Sequence, residues 1–305
     1  MNPNEIGEAS MQLTIILQQV INGLSLGAVY ALIAVGFALI FNVLKFSNFA
    51  HGGVLGISAY AGFIAATRFN MPLIPVILVG MLVGALVAVF VEFVAFRWIR
   101  LQKGQLVYFF VTSVTMLMLL EQVLIILFGA SFESYPYSLV KVRVINISGL
   151  TISVTYLLSL IATVLAFGIL IYVLKKTKIG IAIRAASNDL VATSLMGIDV
   201  NLVVVAAFVV SGMLGGLSGV LYGISASLSP QIGQIVVKGF IASVLGGLGS
   251  LVGVAIAAVA LGVLEVFLIS VIGSGLSPVV IFLIMVVFLL VRPQGFAGVS
   301  FADKA

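Results

Sequence analysis

Between Leu13 and Leu44 the chain reads L-T-I-I-L-Q-Q-V-I-N-G-L-S-L-G-A-V-Y-A-L-I-A-V-G-F-A-L-I-F-N-V-L, with no charged residue anywhere in the run. A helix crosses about 30 Å of hydrocarbon with about 20 apolar residues, so this stretch is long enough to span a bilayer with residues to spare. At about 1.5 Å of rise per residue it is too long for one straight crossing. The expectation is therefore a break near Asn22-Gly23 or at Gly27, giving a short lead-in and a full span. Comparable runs follow: glycine-rich Asn48 to Ala66, Pro72 to about Phe96, Leu106 to about Phe128, Ile152 to Leu174, Leu202 to about Ile224, Leu251 to about Ile272, and Pro278 to Val291. A more polar stretch, Ala130 to Gly149, divides the series, and glycine-dense Val236 to Ser250 precedes the penultimate run. The reading is an all-α polytopic transmembrane helical bundle with about eight to ten membrane segments, some short or re-entrant. It is read as a single transmembrane domain over residues 1–305.

Composition excludes the soluble alternatives. Of 305 residues 63% are hydrophobic and 8% charged, with a mean hydropathy of +1.36. A soluble domain is about a quarter charged, so this chain could not cover itself with a wetted surface. Many of its 32 glycines fall inside the apolar runs, where small residues let helix backbones approach closely in a bilayer. The absence of cysteine removes disulfides, thiol catalysis and cysteine–metal sites. The net charge of +5 fits basic cytoplasmic loops rather than nucleic-acid binding, since no dense basic cluster occurs. Met1 to Ser10 is polar and carries Glu5 and Glu8; it offers neither the basic start nor the short apolar core of a secretory signal. The first run is expected to stay in the mature protein.

Lys and Arg in short loops set orientation. Arg97, Arg100 and Lys103 follow the third run, and Lys175, Lys176, Lys178 and Arg184 follow the fifth. Two spans separate these clusters, which places both on the cytoplasmic side. Ala130 to Gly149, with Glu133, Lys141 and Arg143, then faces outward. Arg292 puts the C-terminus in the cytoplasm if a piece near Val236 counts as a crossing.

An internal repeat is also visible. Gly23-Leu24-Ser25 with Val29-Tyr30 resembles Gly216-Leu217-Ser218 with Leu221-Tyr222, and Phe49 to Gly56 resembles Phe240 to Gly247. The copies lie roughly 190 residues apart, as in transporters built from two pseudo-symmetric halves.

The longest polar cytoplasmic stretch, residues 175–200, reads K-K-T-K-I-G-I-A-I-R-A-A-S-N-D-L-V-A-T-S-L-M-G-I-D-V. Ile183 to Met196 suits a short helix, with Ser187 or Asn188 able to cap a shorter version and Gly197 as its stop. It would carry Ala, Leu and Met on one side, and Arg184, Asn188 and Asp189 on the other. Two readings stand: a helix that docks into a groove of a soluble partner, or an amphipathic connector on the membrane surface.

This segment resembles the coupling loop of the branched-chain amino acid permeases of ABC importers, most closely the first of their two permease subunits. Asn22 to Gly36 (N-G-L-S-L-G-A-V-Y-A-L-I-A-V-G), Asn48 to Val54 (N-F-A-H-G-G-V), Val244 to Gly253 (V-L-G-G-L-G-S-L-V-G) and Arg292 to Gly295 (R-P-Q-G) agree with the same family in the same order. The resemblance implies an inner-membrane (bacterial or archaeal plasma membrane) amino-acid permease that pairs with a second permease or a copy of itself. Two ATP-binding subunits and an extracytoplasmic binding protein complete the assembly. ATP and Mg would sit on those partners, with no cofactor and no catalytic or metal site on this chain. The coupling residues it implies are Arg184, Ala185, Ala186, Asn188, Asp189, Leu190, Met196 and Gly197, the small and apolar ones entering a cleft on the ATPase. The family often carries Glu after His-Gly, where this chain has Gly53. Urea or short-amide permeases of the same family are the alternative cargo class.

Ionisable residues inside spans are functional candidates because burying them is costly. His51, in a segment with Asn48 and Gly52, either lines the pathway at a bend or makes a structural hydrogen bond to a freed backbone carbonyl. Asn22, Asn48, His51, Gly52, Gly246 and Gly247 are the candidate pathway or hinge residues. Glu92 is expected to pair with Arg97. Glu121 and Glu265 lie well inside spans and either pair with a polar neighbour, stay neutral, or face an aqueous path; with His51 they could form the relay of a proton-coupled transporter. No G-x-x-x-x-G-K-[ST] loop occurs, so energy must come from a partner subunit or an ion gradient.

Overall fold

A computed structural model describes residues 3–136, 139, 144–147 and 150–297. The side chains of Glu5 and Glu8, and the loop charges Lys141 and Arg143, lie outside the described residues. The chain is helical almost throughout. Its elements are α1 (Pro3–Leu44), α2 (Ala50–Thr67), α3 (Leu73–Val91), a π-turn (Glu92–Phe96), α4 (Arg97–Leu101) and α5 (Leu106–Phe128). A two-stranded hairpin, β1 (Val144–Ile147) and β2 (Leu150–Ser153), leads into α6 (Val154–Lys176). Then come α7 (Lys178–Asn188), α8 (Leu190–Leu195), α9 (Val200–Ser225), a 3₁₀ turn (Pro230–Ile235), α10 (Val236–Gly246), α11 (Leu251–Ile272) and α12 (Ser277–Val291).

Among the described residues six helices are long and apolar enough to cross a membrane, the second of them running unbroken through the π-turn from Leu73 to Leu101. The eight to ten segments expected from sequence exceed that number. The difference lies in α2, whose apolar character is diluted by His51, Ser58 and Tyr60, and in α10 and α12. At 11 and 15 residues the last two reach only about 16 and 22 Å.

The expected break in the first run does not occur. α1 passes Asn22, Gly23 and Gly27 as one helix. The two glycines serve packing instead: a Cβ at Gly23 would lie 2.6 Å from Val263 Cα, and one at Gly27 2.7 Å from Val259 Cα. Their missing side chains let α11 press against α1 backbone to backbone. α1 is the central helix; 83% of its most apolar window is buried in the protein, against 22% for α6 at the periphery.

The most extensive packing joins α1 to α11 and α3 to α9, followed by α1 to α9, α2 to α3 and α2 to α9, with α10 against α11 and α1 next. Exchanging α1, α2 and α3 with α9, α10 and α11 carries this pattern onto itself. Phe49 and Phe240, the leading residues of the repeated pieces, meet with ring centroids 5.4 Å apart, both against Phe37. The repeat seen in sequence is thus a repeat in packing. The α3–α9 seam is made by Gly80 and Gly84 against Gly212 and Gly216, each facing backbone carbonyls across the gap.

The basic clusters lie at one end. Lys45, just past α1, donates through Nζ to the Ser187 carbonyl at 2.7 Å, and Arg100 donates to Asn201 Oδ1 at 2.6 Å. α10 runs parallel to α1, with Lys238 beside Tyr30 and Ser243 Oγ donating to the Ala34 carbonyl at 3.0 Å. Its end therefore lies toward Lys45, where Phe296 N–H donates to the Leu245 carbonyl at 2.8 Å. The chain after Arg292 accordingly shares the basic end. At the opposite end Glu133 and Leu228 form a two-bond bridge, and Tyr135 hydroxyl donates to the Ala59 carbonyl at 2.7 Å; burial pushes that phenol's pKa up.

Candidate functional site

At the basic end the chain leaves the bundle at Thr177, whose Oγ1 caps α7 by accepting from Gly180 N–H at 3.0 Å. A Cβ at Gly180 would sit 2.5 Å from Leu174 Cα, so glycine there lets α7 fold tightly back on α6. α7 buries Gly180, Ile183 and Ala186 against α6, α9 and α1.

The single helix expected over Ile183 to Met196 is two helices. Asp189 takes an extended backbone (φ −154°, ψ 116°) and caps α8, its carboxylate accepting from Val191 N–H at 2.7 Å and Ala192 N–H at 3.1 Å. The cap is thus Asp189 rather than Ser187 or Asn188, which instead bond back to the Arg184 carbonyl. A carboxylate reaching two orphan N–H groups competes well with helix continuation. Gly197 stops α8 with φ +79° as expected, and Asp199 caps α9 through Asn201 N–H at 2.8 Å.

This break redistributes the candidates. Arg184, Asn188, Asp189, Met196 and Gly197 are exposed, Ala185 and Leu190 half-buried. Ala186 is 1% exposed and packs inside its own chain, so it presents nothing to a partner. Two residues not singled out from sequence stand out most: Val191 is 68% and Leu195 82% exposed, beside Met196 at 84%. Their signal was an apolar i, i+4 pair just after a capping aspartate.

Inside the bundle the candidates separate. His51 is fully buried between two helices, its ring filling the space left by Gly36 of α1 and Gly215 of α9. Its Nδ1 lies 3.3 Å from Ser211 Oγ, which donates to the Gly36 carbonyl at 2.8 Å. Because the hydroxyl's proton is spent on that carbonyl, Nδ1–H is the donor. His51 therefore bridges the α1–α9 contact through a serine, its Nε2 buried without a partner. Asn48 is buried beside it. Gly52 faces the Gly233 carbonyl at close range. Gly246 and Gly247 form the turn after α10, with Gly247 at φ +90° and Gly246 accepting from Ala297 N–H.

Glu265 has a partner that sequence did not suggest. Lys238 of α10 is ion-paired to it, and Tyr30 hydroxyl donates to its other oxygen at 3.0 Å. Lys238 also donates to Tyr30 at 3.0 Å, closing a three-membered ring of contacts across α1, α10 and α11. Glu121 is buried with one carboxylate oxygen lacking a hydrogen-bond partner. Among the described residues no hydrogen bond or ion pair links His51, Glu121 and Glu265 to one another. Glu92 pairs with Arg100 at 2.5 Å, not with Arg97, which lies over the Phe93 ring at 4.5 Å. Asn22 accepts from Gln18 at 2.9 Å and lines a cleft of about 300 Å³ between α1, α6, α9 and α11, with Tyr156 and Tyr222 on its walls.

The family described as "Branched-chain amino acid transport system / permease component" matches residues 19–289. The chain belongs to that family. The permease is 31% identical over 302 residues to the high-affinity branched-chain amino acid transport system permease protein BraD of Pseudomonas aeruginosa, covering 94% of this chain and 97% of BraD. It is 30% identical over 308 residues to LivH of Escherichia coli K12, the permease protein of a transport system of the same description, covering 97% and 99%. The ribose import permease protein RbsC of Haemophilus influenzae is 29% identical over 270 residues, covering 82% and 76%. No solved structure matches the chain. The permease is a multi-pass protein of the inner membrane, and its family is a transport component rather than an enzyme.

Proposed function

We propose that this permease is one half of the membrane pore of an ABC importer for branched-chain or other neutral amino acids. It pairs with a second permease or a second copy, is driven by two ATP-binding subunits that hold ATP and Mg, and receives cargo from an extracytoplasmic binding protein. One observation supports the docking part of this reading: a short capped helix at the basic end leaves Val191, Leu195 and the adjoining Met196 strongly exposed. Three large apolar side chains held out by a rigid cap are what a groove on a soluble partner accepts, and a connector lying on lipid would not need the Asp189 and Gly197 punctuation at both ends. Arg184 and Asp189 would meet the rim of that groove. The near full-length similarity to BraD and LivH supports the cargo class.

The proton-coupled alternative loses ground, because Glu265 is held by Lys238 and Tyr30 and, among the described residues, no hydrogen bond or ion pair links it to His51 or Glu121. The test is uptake by proteoliposomes holding the permease, its partner permease, the ATPases and the binding protein. Uptake of leucine should require ATP and both ATPases and persist when a protonophore collapses the ion gradient. Uptake by the permease alone, abolished by the protonophore, would overturn the proposal.

A further inference from the structure

The π-turn at Glu92–Phe96 has a geometric consequence. In an uninterrupted α-helix, at 3.6 residues per turn, residue i+8 lies about 80° round the axis from residue i. A π-turn inserts one residue, which takes up about 100° and returns i+8 to within about 20° of i. That insertion is what puts Arg100 on the face of Glu92. Glu92 is wholly buried, and Arg100 reaches it with Nη2 at 2.5 Å. Its other arm, Nη1, donates to Asn201 Oδ1 at 2.6 Å, in the first turn of α9.

Asn201 directly follows the cytoplasmic segment. Its own N–H caps onto Asp199, and α8 lies just upstream. Arg100 therefore joins the root of the proposed docking element to a carboxylate inside the membrane-facing helix pair. The π-turn is also the place where α3 can yield. Above it, α3 is interlocked with α9 through Gly80, Gly84, Gly212 and Gly216. At its end Phe96 is buried among Phe46, Phe109 and Phe208, side chains from the α1 end, α5 and α9. A displacement arriving at Asn201 thus reaches three helices through one guanidinium. Buried charge is costly and is retained where it fixes a geometry. The π-turns seen in helices occur often at functional sites.

We propose that Arg100 is a positioning residue for transport. Held by Glu92 and Asn201, it transmits movement of the cytoplasmic segment into α3 at the π-turn. This rests on the ABC reading. A simple structural staple would affect folding; a transmitter affects how much cargo moves per ATP.

The experiment uses the full reconstituted importer carrying Asn201→Leu, which removes the acceptor at similar size, and Asn201→Asp, which keeps it. Assembly with the ATPases and the ATPase rate should match wild type in both. Leucine transported per ATP should fall about tenfold in Asn201→Leu, the equilibrium equivalent of losing one hydrogen bond to a charged group, and should be restored in Asn201→Asp. A wild-type ratio in Asn201→Leu, or an equal fall in both variants, overturns the proposal alone. Failure of the wild-type permease to bind any ATPase overturns the functional reading first and this proposal with it. Arg100→Gln, which leaves Glu92 a hydrogen-bonding amide, should repeat the Asn201→Leu phenotype; an unchanged ratio there also overturns it.

Discussion

Lys238→Met removes the one cation that holds Glu265 and leaves that carboxylate buried, with only the Tyr30 hydroxyl at 3.0 Å as a donor. Removing one partner of a buried pair costs about 3–5 kcal/mol, because the survivor is an uncompensated charge. The Lys238 side chain is 26% exposed, so part of the ammonium was already outside the protein interior and the lower end, about 3 kcal/mol, applies. Glu265→Gln should cost less, about 1–2 kcal/mol, since a neutral amide still accepts from Tyr30 and the freed ammonium has an exposed side to turn toward. The double variant Lys238→Met, Glu265→Gln carries no stranded charge. It should lie within about 1 kcal/mol of wild type, giving a coupling of about 3 kcal/mol or more, at or above the top of the range for residues in direct contact. The assay is unfolding by SDS titration in mixed micelles, followed by circular dichroism for all four proteins. Equal destabilisation in the double variant and in Lys238→Met would refute the reasoning, because it would mean that the packing of the lysine stem, not the charge balance, holds α10 to α11.

Other outcomes follow from the same geometry. Gly84→Ala should destabilise the α3–α9 seam by about 1–3 kcal/mol in that titration, through overpacking. Gly168→Ala, in α6 with nothing within 4 Å of the added carbon, should stabilise by about 0.5–1 kcal/mol, because alanine outranks glycine inside a helix. Leu195→Asp and Met196→Asp should leave folding intact and abolish co-purification of the ATPases, whereas Ala186→Trp should damage the permease itself, since Ala186 is enclosed by its own chain; the comparison is yield and monodispersity against ATPase pull-down. Cysteines placed singly at Phe132 and Leu195, both strongly exposed in a chain with no native cysteine, should label from opposite sides of the membrane.

Membrane residence, the helical class and the stop of α8 at Gly197 were legible in sequence because they rest on local signals: long apolar runs and a glycine in the left-handed region. The repeat was legible too, since Phe49 and Phe240 each lead a copied piece. What sequence left hidden depended on what lies opposite. Gly23 and Gly27 read equally as a break or as a contact until α11 is known to sit against them. Glu92 was matched with Arg97 because nearness along a chain was the only guide, and the π-turn that selects Arg100 has no clear local signature. Lys238 and Glu265 meet only because α10 and α11 fold back on each other around α1. Ala186 was assigned to a partner because an amphipathic helix has two faces, and sequence alone does not say which one the bundle takes. The division of this segment into α7 and α8 was missed for a simpler reason: Asp189 was read as a rim charge and not as a cap.

The glycine seam between α3 and α9 also bears on inheritance and engineering. When two large side chains clash across an interface, a second substitution that shrinks the neighbour can restore the fit. At Gly84, Gly212 and Gly216 that remedy does not exist, because the nearest obstacle is the main chain of a facing glycine, already the smallest residue available; Gly80 differs, since Val220 Cγ2 stands first in its way. A suppressor screen begun from Gly84→Ala should therefore return true revertants, or changes elsewhere that move a whole helix, and none at Gly212. Along that stretch the two helices meet main chain to main chain, so one cannot be displaced there without carrying the other.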